Sequence, residues 1–567
     1  MTAPATDTTR MVTELVRLHQ ALQDISLPLD LAGVGAGRRA RDEMIDQLED
    51  YVIPRMMTLD APLLAVVGGS TGAGKSTLVN SLVGTRVTAP GLLRPTTRSP
   101  VLVHHPDDAH WFGQDRLLPE LARVDHATDD PKSLQLVASD RIKPGLAILD
   151  APDVDSVEEQ NRLLAAELLA AGDLWLFVTS AARYADQVPW EFLKAAAERS
   201  TAVAVVLDRT PADAVQTVAT HLARMLAARG LKDSPLFIVH EGEVSDEGLL
   251  PARHVAEVRG WLDMLADDAV ARQSVVTQTL DGAVRALTFN VHKVADVAAG
   301  QAEAGQQVRA SAETAYDEAV ARVHLATTDG TLLRGEVLAR WQEFVGTGEL
   351  LKSLEHRVGR LRDRMVGAIK GRPQQADDVN LALGSALELL VLEHAETAAE
   401  EAARAWQESE AGLGLLTGAP ADLGRASRAL RTKAARAVEA WQQDVLELVR
   451  AEGADHTVRF LAYGVNGLGV SLMITVFASA AEVESAALGE RLLEAVFGER
   501  SVRELIVRAR ESLEARIAEL MADEQARFTD LVDALVIHPE APARLRQAAR
   551  RVDDLRWASQ RRDPLSS

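Results

Sequence analysis

The chain has 567 residues, 47% apolar and 25% charged, with a formal net charge of −22 and no cysteine. That length exceeds one compact core, so two or more domains are expected. The acidic balance argues against nucleic acid as a partner, and the missing cysteines exclude disulfides, zinc-thiolate sites and thiol catalysis.

In chain order, Met11, Leu15, Leu18 and Leu22 mark one amphipathic helix, and Met44 with Leu48 marks another. Residues 1–58 are read as helices in need of a partner, most simply a C-terminal helical bundle. The first residues, Met1-Thr2-Ala3-Pro4-Ala5-Thr6-Asp7, carry neither a basic start nor an apolar core, so no secretory signal is read and a cytoplasmic location is expected.

From about Pro62 to Leu262, apolar runs alternate with helical stretches. The runs are Leu63–Val67, Val101–Val103, Leu146–Leu149, Leu174–Val178, Ala202–Leu207 and Leu236–Val239. Alternation of this kind predicts an α/β domain with a mostly parallel sheet over residues 59–265, and ligand at the carboxyl ends of its strands. At the end of the first run, Gly69-Ser70-Thr71-Gly72-Ala73-Gly74-Lys75-Ser76-Thr77 completes the G-x-x-x-x-G-K-[ST] pattern of a P-loop NTPase. Small residues let backbone N–H groups curl around phosphate, and the following helix adds the positive end of its dipole. Lys75 is expected to reach the β- and γ-phosphates and the Ser76 hydroxyl to ligate Mg²⁺.

Further on, Arg94-Pro95-Thr96-Thr97-Arg98-Ser99-Pro100 precedes the second run, and Leu146-Ala147-Ile148-Leu149-Asp150-Ala151-Pro152 ends a strand in Asp-x-Pro. A threonine in a loop ahead of that strand can sense the γ-phosphate through Mg²⁺, and Asp150 can hold a Mg²⁺-bound water. An ABC-type ATPase is disfavoured, because Ala151 follows Asp150 and no Ser-Gly-Gly occurs.

These motifs resemble those of the bacterial dynamin-like GTPases. Thr97-Arg98-Ser99-Pro100 is similar to the Thr-Arg-x-Pro of dynamin switch I, and Asp150-Ala151-Pro152 to the Asp-x-Pro-Gly of switch II. The resemblance spans roughly residues 62–262 at the level of motifs. It implies GTP hydrolysis with Mg²⁺, coupled to self-association with like or related dynamin-like chains and to membrane remodelling. By the same resemblance Thr97 takes the switch I role, with Thr96 in reserve. The chain departs from the pattern in three places. Thr71-Gly72 stands where dynamins usually have Gln-Ser, and Asp153 where Gly is usual. Val154 stands where Ras-like enzymes place glutamine, and dynamins also carry an apolar residue there. After the fifth run, Asp208-Arg209-Thr210-Pro211 replaces [NT]-K-x-D. Arg209 can stack on a base and Asp208 can stand in for the polar first position, but Pro211 removes the carboxylate that pairs with guanine. GTP is therefore expected ahead of ATP on the resemblance, and ATP stays open.

Beyond about residue 266 the pattern is helical. Ser274–Val323 would extend roughly 75 Å if unbroken, and further helices are expected near 332–346, 349–371, 376–408, 425–452, 488–536 and 541–558. Residues 266–457 and 482–567 are read as an all-α elongated bundle or stalk. Between them, Phe460–Ala481 holds 22 residues without a formal charge. Two readings remain open for it: shallow or re-entrant membrane insertion, and a buried central helix of the bundle. Lys352–Arg372 carries seven basic side chains against two acidic ones, around an apolar stripe at helical spacing. It can lie on an anionic membrane surface, or be solvated or paired with acidic helices. Peripheral attachment at the inner face of the cell membrane is the matching expectation for location. A slow nucleotide-dependent switch and an ATPase of another phosphate-loop class are the alternative functions.

Overall fold

Leu63–Gly69 is buried at every position, because a run of small and apolar residues suits the middle of a sheet covered on both faces. This strand, β1, lies in a computed structural model that describes residues 3–88, 99–114, 116–128, 130–156, 159–198, 201–211, 213–345, 373–453, 464–478 and 484–562. The described chain divides into two compact units. The first comprises Met1–Ile25, Gly35–Ala299 and Pro539–Ser567, and the second Ser26–Val34 and Gly300–His538.

The first unit holds an eight-stranded sheet in the order β3-β4-β2-β5-β1-β6-β7-β8. The expected runs form β1, β2 (Val101–His104), β5 (Leu146–Asp150), β6 (Leu174–Ser180), β7 (Ala202–Thr210) and β8 (Leu236–His240). All neighbours pair in parallel except β2 with β5, so the sheet is mostly parallel as expected. Two strands, β3 (Ala122–Val124) and β4 (Ser133–Ala138), were not anticipated. Both are only partly buried at one side of the sheet and are interrupted by Arg123 and Gln135, so they lack a continuous apolar run.

The two-residue period of β1 sends Leu64 and Val66 into one cluster with Leu164 and Leu168 of α5 (Glu159–Ala170), Leu193 of α6 (Gln187–Glu198) and Leu222 of α7 (Val215–Ala228). α4 (Lys75–Val83) packs on β1 and β5, and α8 (Ala252–Asp267) on β5 and β8. The N-terminal helix α1 (Ala3–Gln23) packs on the helix Ala541–Arg562 within this same unit.

The helix α9, Ala269–Thr328, spans 60 residues. The second unit contains helices, the turns joining them and the non-helical stretch Ser26–Gly33, with no strand among its described residues. Its core contains Trp341, Trp406 and Trp441, each at most 1% exposed. Two of the indole N–H groups are satisfied inside it, Trp406 donating to Val308 O and Trp441 to Ala509 O, each at 2.8 Å. The stretch expected as one helix over 488–536 is two, Glu484–Phe497 and Glu499–Asp533, because Gly498 sits at φ +86° between them. The helix expected at 349–371, with the basic segment Lys352–Arg372, lies outside the described residues.

Within the apolar segment, Val465–Phe477 forms a helix whose residues from Gly467 onward are all buried. Ser471 and Thr475 turn their hydroxyls back onto Gly467 O and Ser471 O, each at 2.8 Å, so no polar group is stranded. Gly469 lets Leu446 approach so closely that an added Cβ would lie 2.5 Å from its methyl carbon. No helix among the described residues is long and apolar enough to cross a membrane. For residues 465–477 the buried reading holds, while 460–463 and 479–481 lie outside the described residues.

Candidate functional site

At the carboxyl end of β1 the chain turns sharply, and glycine is required there. A Cβ on Gly69, at φ +147°, would lie 2.0 Å from Val178 O of the adjacent β6. The loop then runs through Ser70, Thr71, Gly72 and Ala73 to Gly74, which has φ +102° and immediately precedes Lys75 at the first turn of α4. Residues 69–77 therefore form a strand–loop–helix junction with the helix N-terminus facing the loop.

Lys75 is 5% exposed. Its ammonium donates to Gly69 O at 3.1 Å and Ser70 O at 3.2 Å, and pairs with the Asp153 carboxylate. The Ser76 hydroxyl donates to Asp150 Oδ2 at 2.8 Å. Parallel pairing of β1 with β5 sets Val67 opposite Asp150, which brings that carboxylate under the first turn of α4. Thr88 Oγ1 donates to the same Asp150 oxygen at 2.9 Å. Asn80 holds Thr88 in place, accepting from its N–H at 3.0 Å and donating to its carbonyl at 2.9 Å. Burial pushes the Asp150 carboxyl above the ordinary carboxylate range, while Ser76, Lys75 and Thr88 draw it back. Among the described residues, Asp150 Oδ1 is buried with no hydrogen-bond partner. A hydroxyl beside an unsatisfied carboxylate oxygen is a hard-oxygen donor set, which fits Mg²⁺.

The loop after β5 folds over the phosphate loop. Asp155 Oδ1 accepts from the Thr71 N–H at 2.5 Å and from its hydroxyl at 2.7 Å, and Arg183 holds the other Asp155 oxygen at 2.9 Å. Val154, where a water-orienting glutamine would stand, is fully buried and donates its N–H to Gly69 O at 3.3 Å.

On the opposite side lie the last residues of β7. An added Cβ on Gly74 would sit 2.1 Å from Asp208 Oδ2, and Arg209 donates to Gly72 O at 3.0 Å. Arg209 takes φ +48°, a strained value for a non-glycine residue, and donates its own N–H to Asp208 Oδ1 at 2.7 Å. Burial pushes the Asp208 carboxyl up to about 6, with Glu241 adding to the rise and Arg209 opposing it.

The structure thus gathers Gly69 to Thr77, Asp150, Asp208 and Arg209 at one set of strand ends. Thr96 and Thr97 lie outside the described residues. Sequence reading missed Asp155, Arg183, Thr88 and Asn80 as parts of this site. The one available signal was the density of carboxylates in Asp150-Ala151-Pro152-Asp153-Val154-Asp155.

Residues 64–209 match the model of the dynamin family, so the expected resemblance holds for the nucleotide domain. No curated protein matches the chain. Among solved structures, the chain is similar to a member of an oligomerised bacterial dynamin pair described as a mechanism for long-range sensing and tethering of membranes. There the identity is 11% and the TM-score 0.36, covering 94% of this chain and 96% of that one. A second structure so described gives 10% and 0.37, over 92% and 94%. The LeoA bacterial dynamin GTPase from ETEC gives 10% and 0.24, over 98% and 99%. TM-scores this low add nothing to the fold described above.

Proposed function

We propose that this chain is a dynamin-like GTPase that binds and hydrolyses GTP with Mg²⁺ and couples turnover to self-association and to contact with an anionic membrane surface. The observation that carries the reading is the phosphate loop with Lys75 and the Ser76–Asp150 pair at its base, inside the stretch that matches the dynamin family. Backbone N–H groups of residues 70–76 clamp the phosphates, and Lys75 neutralises charge developing on the bridging and γ-oxygens. Ser76 would hold Mg²⁺ together with Thr97, assigned on the switch I resemblance, and Asp150 would hold a water bound to the ion. Bound there, Mg²⁺ would offset charge shared by the β- and γ-phosphates. Arg209 is assigned to stack on the base, and Asp208 to brace Gly74. The preference for guanine rests on the family resemblance, since Pro211 removes the usual reading carboxylate.

Membrane contact is assigned to Lys352–Arg372, and self-association is assigned to supply the water-orienting group that Val154 does not. A slow nucleotide switch is the second reading. It is favoured by one observation, the Lys75–Asp153 pair combined with buried Val154. Phosphate release from GTP and from ATP, measured across protein concentrations with and without anionic vesicles, separates the two readings. GTP turnover that climbs with concentration or lipid and vanishes in Lys75→Ala supports the first. Binding without turnover supports the second, and equal use of ATP removes the guanine assignment.

A further inference from the structure

The phosphate loop has two distinguishable ends. Asp208 and Arg209 lie against Gly74 and Gly72 at one of them. Asp153 and Asp155 lie against Lys75 and Thr71 at the other. A nucleotide laid with its base toward Arg209 runs along the loop amides and brings its last phosphate to the second end. There the two groups best suited to a terminal phosphate are already engaged. The Lys75 ammonium is paired with one carboxylate, and the Thr71 N–H and hydroxyl both donate to another.

These are built contacts. Lys75 and Asp153 are 5% and 8% exposed, and Arg183 holds Asp155 from behind at 2.9 Å. The main chain agrees, because the Val154 N–H donates to Gly69 O and fixes the segment between the two carboxylates over the loop.

Resting on the phosphate-loop reading above, we propose that Asp153 is a specificity-determining residue that makes the site favour a nucleoside diphosphate over the corresponding triphosphate. A diphosphate fills the amide cradle and brings only its β-phosphate to Lys75, so Asp153 keeps a share of the ammonium. A triphosphate brings its γ-phosphate to the same ammonium, so the carboxylate is expelled or the two like charges share one cation. Asp155 adds to the effect by holding the Thr71 donors, and its own displacement also releases Arg183. Glycine at position 153 would impose no such competition, so the departure from Asp-x-Pro-Gly sets the selectivity.

The test is calorimetry of Mg²⁺-GDP and of a Mg²⁺-bound non-hydrolysable GTP analogue with the full chain, its Asp153→Asn and Asp153→Ser variants, and Lys75→Ala. The wild type is expected to bind the diphosphate more tightly. Asp153→Asn should raise triphosphate affinity about tenfold or more, equivalent to about 1.4 kcal/mol, and change diphosphate affinity less than about threefold. Asp153→Ser should act in the same direction, so the result does not hang on one variant's folding. Equal gains for both nucleotides, or none, overturn the proposal. If Lys75→Ala abolishes binding in that case, the nucleotide-site reading survives. No binding by the wild type or any variant ends both.

Discussion

Replacing Arg55 by methionine should cost the first unit about 3–5 kcal/mol, because it strands a buried carboxylate. Arg55 Nε lies 2.8 Å from Asp173 Oδ1, and the Tyr51 hydroxyl donates to the same oxygen at 3.2 Å. The other oxygen accepts the Leu64 N–H at 2.9 Å, so one side chain ties the turn before α3 (Ile53–Met57), and α3 itself, to the start of β1. Asp173 is 1% exposed. Burial and the adjacent Asp173 raise the Tyr51 hydroxyl well above its ordinary range, so it remains a neutral donor and cannot replace the lost cation. Asp173→Asn should be milder, about 1–3 kcal/mol, since Arg55 keeps its bond to Thr58 O at 2.7 Å. Joining the two substitutions should return at least about 1 kcal/mol relative to their sum, because neither product carries an unpaired charge. Hydrogen exchange of peptides covering residues 60–68 reads the effect five residues before the phosphate loop. Arg55→Met should lower β1 protection by roughly two powers of ten or more. Protection within threefold of wild type, or strict additivity in the double variant, refutes the reasoning.

Three further outcomes are expected. Asp150→Asn removes a carboxylate that burial disfavours, so the nucleotide-free protein should melt higher while the Mg²⁺-dependent part of nucleotide binding disappears; scanning calorimetry and titration with and without Mg²⁺ check both. The Asp208 carboxyl rises from 3.8 to about 6 on folding, so the folded chain keeps a proton that the unfolded chain has already released. Its contribution is therefore most favourable below 3.8 and falls as pH rises to about 6, by about 3 kcal/mol as an order of magnitude. Asp208→Asn should flatten that fall, seen as a melting-temperature gain at pH 7 that shrinks at pH 4. Met473→Lys places a charge at a position with 0% exposure and should unfold the helical unit, measured by loss of helical circular dichroism and of solubility. A soluble, folded Met473→Lys protein that only loses lipid binding would contradict the buried assignment.

The parts legible in the sequence are those governed by neighbours along the chain. The phosphate loop is a local pattern whose glycines are required by the loop's own turns. Six strands declared themselves because each reads as one apolar run; five are buried along nearly their whole length, and β8 is only partly buried. β3 and β4 sit at one side of the sheet, where partial burial leaves no such run. The break at Gly498 was hidden because the apolar pattern resumes on its far side, while the backbone there turns to positive φ. Partners distant in sequence were invisible for a different reason. Arg55 and Asp173 are 118 residues apart, and Lys75 and Asp153 are 78 apart, so only the sheet register brings them together. Asp153 was noticed as a departure, but its pairing with Lys75 is a tertiary fact.

The apolar helix shows how composition misleads when burial is complete. Seven large side chains, Leu468, Val470, Leu472, Met473, Ile474, Val476 and Phe477, are each at most 2% exposed. Removing them from the bundle would forfeit roughly 10–20 kcal/mol of burial, and lipid could return the transfer energy of the helix itself. Lipid could not restore what surrounds it. Trp441 packs at a tilt against Phe477 with ring centroids 5.4 Å apart, Leu446 fills the notch at Gly469, and Gly489 abuts Ser471 O and Trp341. Those partners would be left around a cavity or exposed to water, at a cost comparable with the whole stability of a typical domain. Insertion of residues 465–477 and integrity of the helical unit are therefore mutually exclusive states. Lipid contact that leaves the bundle folded has to come from other residues; the basic stretch Lys352–Arg372, proposed above for that contact, has a charge that suits it.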